Sequence, residues 1–473
     1  MPLGFIIYPY LFYLIDNKKF TNQSRIVHFL SGFFYGFGFA SIILIWIKEP
    51  FLTNAQTQSF AFLSYLLIIY YSLYFGLTFL FIKYFKNSFS KLITFPAIIV
   101  LNEIICGNVS YGFPWISYAL IHSSNKFGLS IIYYIGNYGL SYLTLFIFLF
   151  PAIFLLPKSL KKRSIYKFYV FLYFIIFLLL LFLILVRLFY SDINYSRNIK
   201  VSLVQLNFPI NFNISNSDLK LRELAIIEKI SNNNNEILIF AENNYPYLIN
   251  EKSDISYFNK QTYFDNSVIL GLNRKNNNAI YNSMALIEKN KIEIFDKKIL
   301  VPFGEFVPFR KYLGFMDIIA GSKDFTIGSN ERIMQTKNNV SIIPVICYEI
   351  IFFWKLFNNQ NNKADIIVNI TNDAWFGNLS GPYQHFYLAR LRAAESNKPL
   401  IRVSNNGVSA AIDNMGNIIG YLALNKSAVG VFDIKIPENK KNFLKFHHFV
   451  FYFIFLVILI GIFLNKKNES NII

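Results

Sequence analysis

One thiol, one carboxylate and one ammonium each stand at the end of an element in this chain. Cys347 closes the apolar run 342–346, in a sequence of 473 residues that holds one other cysteine, Cys106. Glu242 follows the apolar run 237–241, and Lys297 lies shortly before a Pro-Phe-Gly-Glu block at 302–305. A cysteine thiolate attacks esters and amides and leaves a thioester that a second nucleophile resolves. The thiol needs a proton acceptor, and this region offers carboxylates rather than a well-placed histidine. Glu242 suits that role if partial burial lifts its pKa toward working pH. A lysine beside both groups favours the thiolate and stabilises the oxyanion of a tetrahedral intermediate. Three such groups titrate as a coupled set, so no one pKa belongs to Cys347 alone. Taken singly, a cysteine at a strand end is more often a packed apolar residue.

The elements that must position these groups lie between about 190 and 445. Short β-rich runs are expected at 201–206, 236–241, 267–272, 341–347, 365–370, 400–404 and 429–436. Helices are expected near 218–231 and 383–397; the first places Leu219, Leu221, Leu224, Ile226, Ile227 and Ile230 largely on one side. Asparagine-rich stretches at 232–235 and 276–278 read as polar loops. About 255 residues suffice for one domain with its own core. Strands mixed with helices indicate a layered α/β or α+β sandwich.

The rest is apolar. The chain is 54% hydrophobic and 15% charged, far from the balance of a soluble protein. Apolar runs occur at 3–15, 27–47, 60–83, 92–106, 128–156, 167–188 and 446–464, the first and fourth short for a bilayer span. Lys18, Lys19, Arg25, Lys86, Lys91, Lys158, Lys161, Lys162, Arg163 and Lys167 occupy one alternate set of loops. The other set holds only Lys48 and Lys126. By the positive-inside rule the first set is cytoplasmic, so the N-terminus and the region after 188 face outside. The net charge of +18 is no sign of nucleic acid, because the lysines sit in short loops between apolar runs. Two distant cysteines exclude a disulfide framework, and the five histidines show no metal spacing. The expected domains are 1–189 as transmembrane helices, 190–445 as the globular domain, and 446–473 as a last transmembrane helix with a cytoplasmic tail.

The order Glu242, Lys297, Cys347 resembles the Glu-Lys-Cys triad of the carbon–nitrogen hydrolase (nitrilase) superfamily. Further blocks are similar to its membrane branch, the apolipoprotein N-acyltransferases. They are Leu300-Val301-Pro302-Phe303-Gly304-Glu305-Phe306-Val307-Pro308, Cys347-Tyr348-Glu349, Asn372-Asp373-Ala374-Trp375-Phe376-Gly377 and Gly112-Phe113-Pro114-Trp115. The resemblance implies a polytopic helical membrane domain joined to a nitrilase-like α-β-β-α sandwich, without cofactor or metal. It implies a ping-pong acyltransferase in the bacterial inner membrane with its catalytic domain on the periplasmic side. Cys347 would take the sn-1 acyl chain of a phospholipid and pass it to the α-amine of a diacylglyceryl-cysteine on an apolipoprotein. Glu242 would be the base and Lys297, rather than the adjacent Lys298, the oxyanion stabiliser. Glu305 and Glu349 would orient Lys297 or the thiol, and Tyr348, Trp375 and Tyr383 would line the lipid entrance. A membrane-tethered amidase with water as acceptor is the alternative.

Two features depart from that family. Its members usually begin with a further apolar helix, which implies a start upstream of Met1 or a lost helix. At Glu103-Ile104-Ile105-Cys106, Cys106 stands where the family carries an arginine, so a headgroup-contacting cation is missing there. Glu103 near a membrane run is a functional candidate unless it is a solvated helix end.

Overall fold

The computed structural model describes residues 3–156, 164–189, 194–210, 214–250, 266–289, 291–312, 323–358 and 360–470. Lys158, Lys161, Lys162 and Arg163 of the expected charge asymmetry lie outside the described residues. The chain forms two compact units: Met1–Ile45 with Leu63–Asp192 and Asn442–Ile473, and Trp46–Phe62 with Ile193–Lys441. The segment 46–62, which lies between two apolar runs in the sequence, groups with the second unit.

The first unit is helical: α1 (Gly4–Asp16), α2 (Arg25–Ile43), α3 (Ser64–Ile82), α4 (Ser88–Asn108), α5 (Lys126–Phe148), α6 (Ser164–Phe189) and the C-terminal helix Phe449–Ser470. Among the described residues, six helical stretches are long and apolar enough to cross a membrane, and α1 is a shorter apolar helix. At 1.5 Å per residue its 13 residues reach about 20 Å. The run expected at 92–106 is longer than the sequence suggests. Asn87 caps α4 by accepting from the Phe89 N–H, and Lys91 is buried inside the helix, 3.0 Å from Asp16 Oδ1. A paired lysine extends the helix where hydropathy alone stops it. Glu103 is no solvated end: it is 7% exposed, and its oxygens accept the Tyr118 N–H and the Ser141 hydroxyl, both at 2.9 Å. Cys106 is buried as well.

The second unit is a sandwich. One sheet joins β1 (Tyr195–Gln205), β2 (Ile237–Phe240), β3 (Leu248–Ile249), β4 (Ser267–Asn276), β5 (Ala279–Glu288), β6 (Lys291–Asp296) and, further along, Ala428–Pro437. The other joins β7 (Met334–Gln335), β8 (Ser341–Ile346), β9 (Ile366–Thr371), β10 (Leu400–Ser404), β11 (Ser409–Ile412) and β12 (Ile418–Leu422), with Ala428–Pro437 being β13 of the first sheet. The centres β1-β2-β4 and β8-β9-β10 are parallel. β1 and β2 pack on β10, and β5 on β8, so the sheets face each other. Side chains alternate across a strand; Val204, Leu238, Phe240, Val268 and Leu270 form a core with Ile226 and Ile230 of α7 (Asn216–Ser231). Leu221 and Leu224 of that helix stay exposed, so its apolar stripe is narrower than expected. α8 (Ser380–Ser396) packs on β10. The result is the α-β-β-α order.

All seven expected strands are present. Those at 279–288 and 291–296, unassigned in the sequence, complete an antiparallel meander β4-β5-β6. Two reversals leave β6 running parallel to β2 and β4. Pro344 sits inside β8 without loss, because β7 pairs only as far as Ile342 and leaves an edge there.

Candidate active site

The three groups follow the carboxyl ends of three strands. Glu242 follows β2, Lys297 follows β6 and Cys347 follows β8. The carboxyl ends of parallel strands are where open α/β sheets place their ligands. Cys347 has φ +50°, a left-handed conformation that costs a residue with a Cβ on the order of 1–2 kcal/mol. It begins the short 3-10 turn Cys347–Ile351.

Glu242 is buried, and Oε1 accepts from Asn282 Nδ2 at 2.7 Å and Lys297 Nζ at 3.3 Å. Its Oε2 accepts the Asn372 backbone N–H at 2.8 Å. Lys297 Nζ also donates to Glu305 Oε1 at 2.9 Å, and Asn282 Nδ2 bridges to that same oxygen at 2.8 Å. Glu305 Oε2 accepts the Val301 N–H, which closes the loop that carries it. The structure thus brings Glu242, Lys297, Glu305 and Cys347 together.

Burial alone would push Lys297 down, but Glu305, Glu242 and Cys347 outweigh it and hold the ammonium well above the usual lysine range. Burial pushes the Cys347 thiol up, and Glu242 adds to this; Lys297 and the Thr371 hydroxyl pull the other way. Cys347 therefore rests as a thiol, and any reaction at its sulfur needs a base to take the proton.

Glu349 stands apart from Glu242, Lys297 and Cys347. It accepts from both Arg332 Nη atoms at 2.7 and 2.8 Å and from the N–H groups of Ile346, Lys298 and Ile299. It therefore ties the residue before Cys347 to the residues after Lys297. Burial works against its charge, yet Arg332 and these donors hold its pKa below the usual carboxylate value. Arg332→Ala should destabilise the second unit by about 3–5 kcal/mol, because it strands a buried carboxylate. The wild-type contribution is present above pH ~4.3 and fades as pH falls through the depressed value. Thermal unfolding of both proteins between pH 7 and pH 3 reads this: the gap should narrow on acidification, and a constant gap would refute it.

Tyr348 does not line an exposed entrance; it is 3% exposed and packs edge-to-face on Phe352 at 5.0 Å. The turn that starts at Cys347 carries it inward. Trp375 and Tyr383 are partly exposed, at 37% and 46%. The sequence reading missed Asn282 and Arg332, which pair with the acidic residues, and the cluster Thr371, Asp373, His385 and Arg402 beside Cys347. For Asn282, Thr371 and Arg402 the usable signal was a polar residue in an apolar strand, since charged residues are almost never fully buried unless paired.

Gly271 on β4 makes room for Glu242: a Cβ there would lie 2.4 Å from the Ala241 carbonyl oxygen and 2.6 Å from Glu242 Cα. Gly271→Ala must displace the backbone that carries Glu242. Misplacement of about 1 Å costs on the order of 10²-fold in rate, so activity should fall that far while the protein still folds. Unchanged steady-state activity would show that Glu242 needs no exact placement.

The carbon–nitrogen hydrolase family model matches residues 229–438, and that of the apolipoprotein N-acyltransferase N-terminal domain matches residues 1–150. The apolipoprotein N-acyltransferase of Rickettsia bellii is 30% identical over 382 residues, covering 78% of this chain and 75% of the relative. That of Rhodopseudomonas palustris is 28% identical over 462 residues, covering 92% and 85%. A solved CN-hydrolase superfamily protein from Xanthomonas campestris aligns with a TM-score of 0.39 at 15% identity, over 55% of this chain and 97% of its own.

Proposed function

Since the chain belongs to the apolipoprotein N-acyltransferase family, as a multi-pass membrane acyltransferase, we propose that it moves a phospholipid acyl chain through a Cys347 thioester to a lipoprotein α-amine. Glu242 takes the Sγ proton as sulfur attacks the sn-1 ester carbonyl. Lys297 faces the oxyanion, whose collapse breaks the C–O bond. Glu242 returns the proton to the leaving oxygen and a lysophospholipid departs. The diacylglyceryl-cysteine amine then attacks the thioester, Glu242 takes a proton from it, the C–S bond breaks to leave an amide, and Glu242 returns that proton to the Cys347 sulfur. Glu305 holds Lys297 and Glu349 holds the main chain on both sides of the site.

The observation that carries this reading is a buried thiol under the joint influence of the Glu242 carboxylate and the Lys297 ammonium. The loop charges support an inner-membrane location with 190–445 on the periplasmic side, between membrane parts 1–189 and 446–473. Trp375 and Tyr383, partly exposed, are proposed to meet the acyl chains. The test is incubation of the purified protein with phospholipid and a diacylglyceryl-cysteine peptide. N-acylated peptide and lysophospholipid in equal amounts are expected. Free fatty acid without acylated peptide would instead support hydrolysis.

A further inference from the structure

A second polar cluster touches Cys347, and the steps above do not use it. Thr371 ends β9, Asp373 opens the turn Asp373–Phe376, His385 lies on α8 and Arg402 lies on β10. All four are fully buried. Asp373 Oδ1 accepts the Thr371 hydroxyl at 3.0 Å and lies 2.9 Å from His385 Nδ1. Arg402 Nη2 donates to Asp373 Oδ2 at 2.6 Å and lies 3.1 Å from His385 Nδ1; Nη1 donates to Asn369 Oδ1 at 2.6 Å. The cluster lies against Cys347: β8 and β9 pair in parallel with Ile346 opposite Ile370, which sets Thr371 beside Cys347, and α8, which carries His385, packs on the turn Cys347–Ile351. Space is tight, because a Cβ on Gly407 would lie 2.1 Å from Asp373 Oδ2. Well-packed apolar residues often fill such a volume at no loss of stability, so the charges call for another reason.

We propose that Asp373, His385 and Thr371 are positioning residues for the nucleophile, with Arg402 as their anchor. This rests on the reading of Cys347 as the nucleophile. Asp373, held by Arg402, orients His385, and His385 holds the Cys347 main chain in its left-handed conformation. Thr371 acts on the sulfur through its single hydroxyl proton. A hydroxyl donates once and accepts twice. While sulfur is a thiol, Thr371 Oγ1–H points to Asp373. When Glu242 takes the Sγ proton, the hydroxyl turns to donate to the thiolate, and Asp373 keeps its contacts with His385 and Arg402. No proton leaves the cluster. The charged groups acting on the thiol are Glu242, Lys297 and Asp373, with His385 against its main chain.

The test is iodoacetamide capture of Cys347, read by peptide mass spectrometry on the full chain in detergent across the alkaline range. Asp373→Asn leaves Arg402 without its counter-charge and is expected to lose the fold. The near-isosteric Thr371→Val is therefore the principal variant. It should slow capture at a given pH about tenfold, the size of a lost hydrogen bond to an anion, and move the alkaline midpoint up by about one unit. Thr371→Ser should restore both. Acyl transfer by Thr371→Val should lose kcat with KM unchanged, and His385→Gln should also slow capture. Wild-type midpoints for Thr371→Val and His385→Gln would overturn the proposal, as would a Thr371→Ser protein no better than Thr371→Val. Capture is read without lipid, so absence of acyl transfer by the wild type would sink the proposed function and leave this test standing.

Discussion

Cys347→Ser should lower acyl transfer by at least about 10³-fold, the scale seen when a covalent nucleophile is removed. Burial and Glu242 already keep the thiol protonated at rest, and a serine hydroxyl gives up its proton less readily still. The exchange alters one atom, and the left-handed backbone at 347 is no worse for serine than for cysteine. The unfolding midpoint should stay within about 4 °C, equivalent to about 1 kcal/mol. Lost turnover with a kept fold separates chemistry from packing. A variant with a tenth of the wild-type rate would refute Cys347 as nucleophile.

Lys297→Ala should remove turnover and stability together. Its ammonium lies between Glu242 and Glu305, which would then share only the Asn282 amide. Loss of one partner from a buried pair costs about 3–5 kcal/mol, and loss of oxyanion stabilisation about 10²–10³ in rate. The folded pKa of Lys297 lies above its unfolded value. Its contribution is therefore fully present below about pH 10.4 and is lost only as pH rises through the folded value. Wild-type stability should carry no Lys297 titration between pH 5 and pH 9. In the variant two carboxylates face each other, the pKa of one is raised, and protonating it brings relief. The variant should therefore gain stability as pH falls from 8 to 5, read from unfolding midpoints against pH. Wild-type rates in Lys297→Ala would mean that Lys298 carries the role.

The sequence reading found the residues that end hydrophobic runs, with Glu305 and Glu349 beside them, and missed Asn282, Arg332 and the group of Thr371, His385 and Arg402 that packs around them. Glu242, Lys297 and Cys347 stand out because apolar strands stop at or near them. The asparagines at 276–278 read as a bland polar loop, yet they make the tight β4–β5 connection, with Asn277 at φ +53°. Asparagine tolerates that conformation, which suits two-residue hairpins. Without that hairpin there is no β5 to carry Asn282, and no reason for Lys297 to emerge beside Glu242. Arg332 lies in irregular chain two residues before β7, where periodicity says nothing. Asp373, His385 and Arg402 come from a turn, a helix and a strand, so only tertiary packing unites them. The resemblance put Tyr348 at the lipid entrance; the turn that begins at Cys347 buries its ring against Phe352.

The most direct test is mass spectrometry of the purified protein after incubation with phospholipid and no acceptor. A mass increase of one acyl chain, mapped to the peptide that contains Cys347 and released by hydroxylamine, is the predicted result. The adduct should disappear when a diacylglyceryl-cysteine peptide is added. An acyl chain on another residue, or acylated peptide formed with Cys347 never modified, would contradict the account.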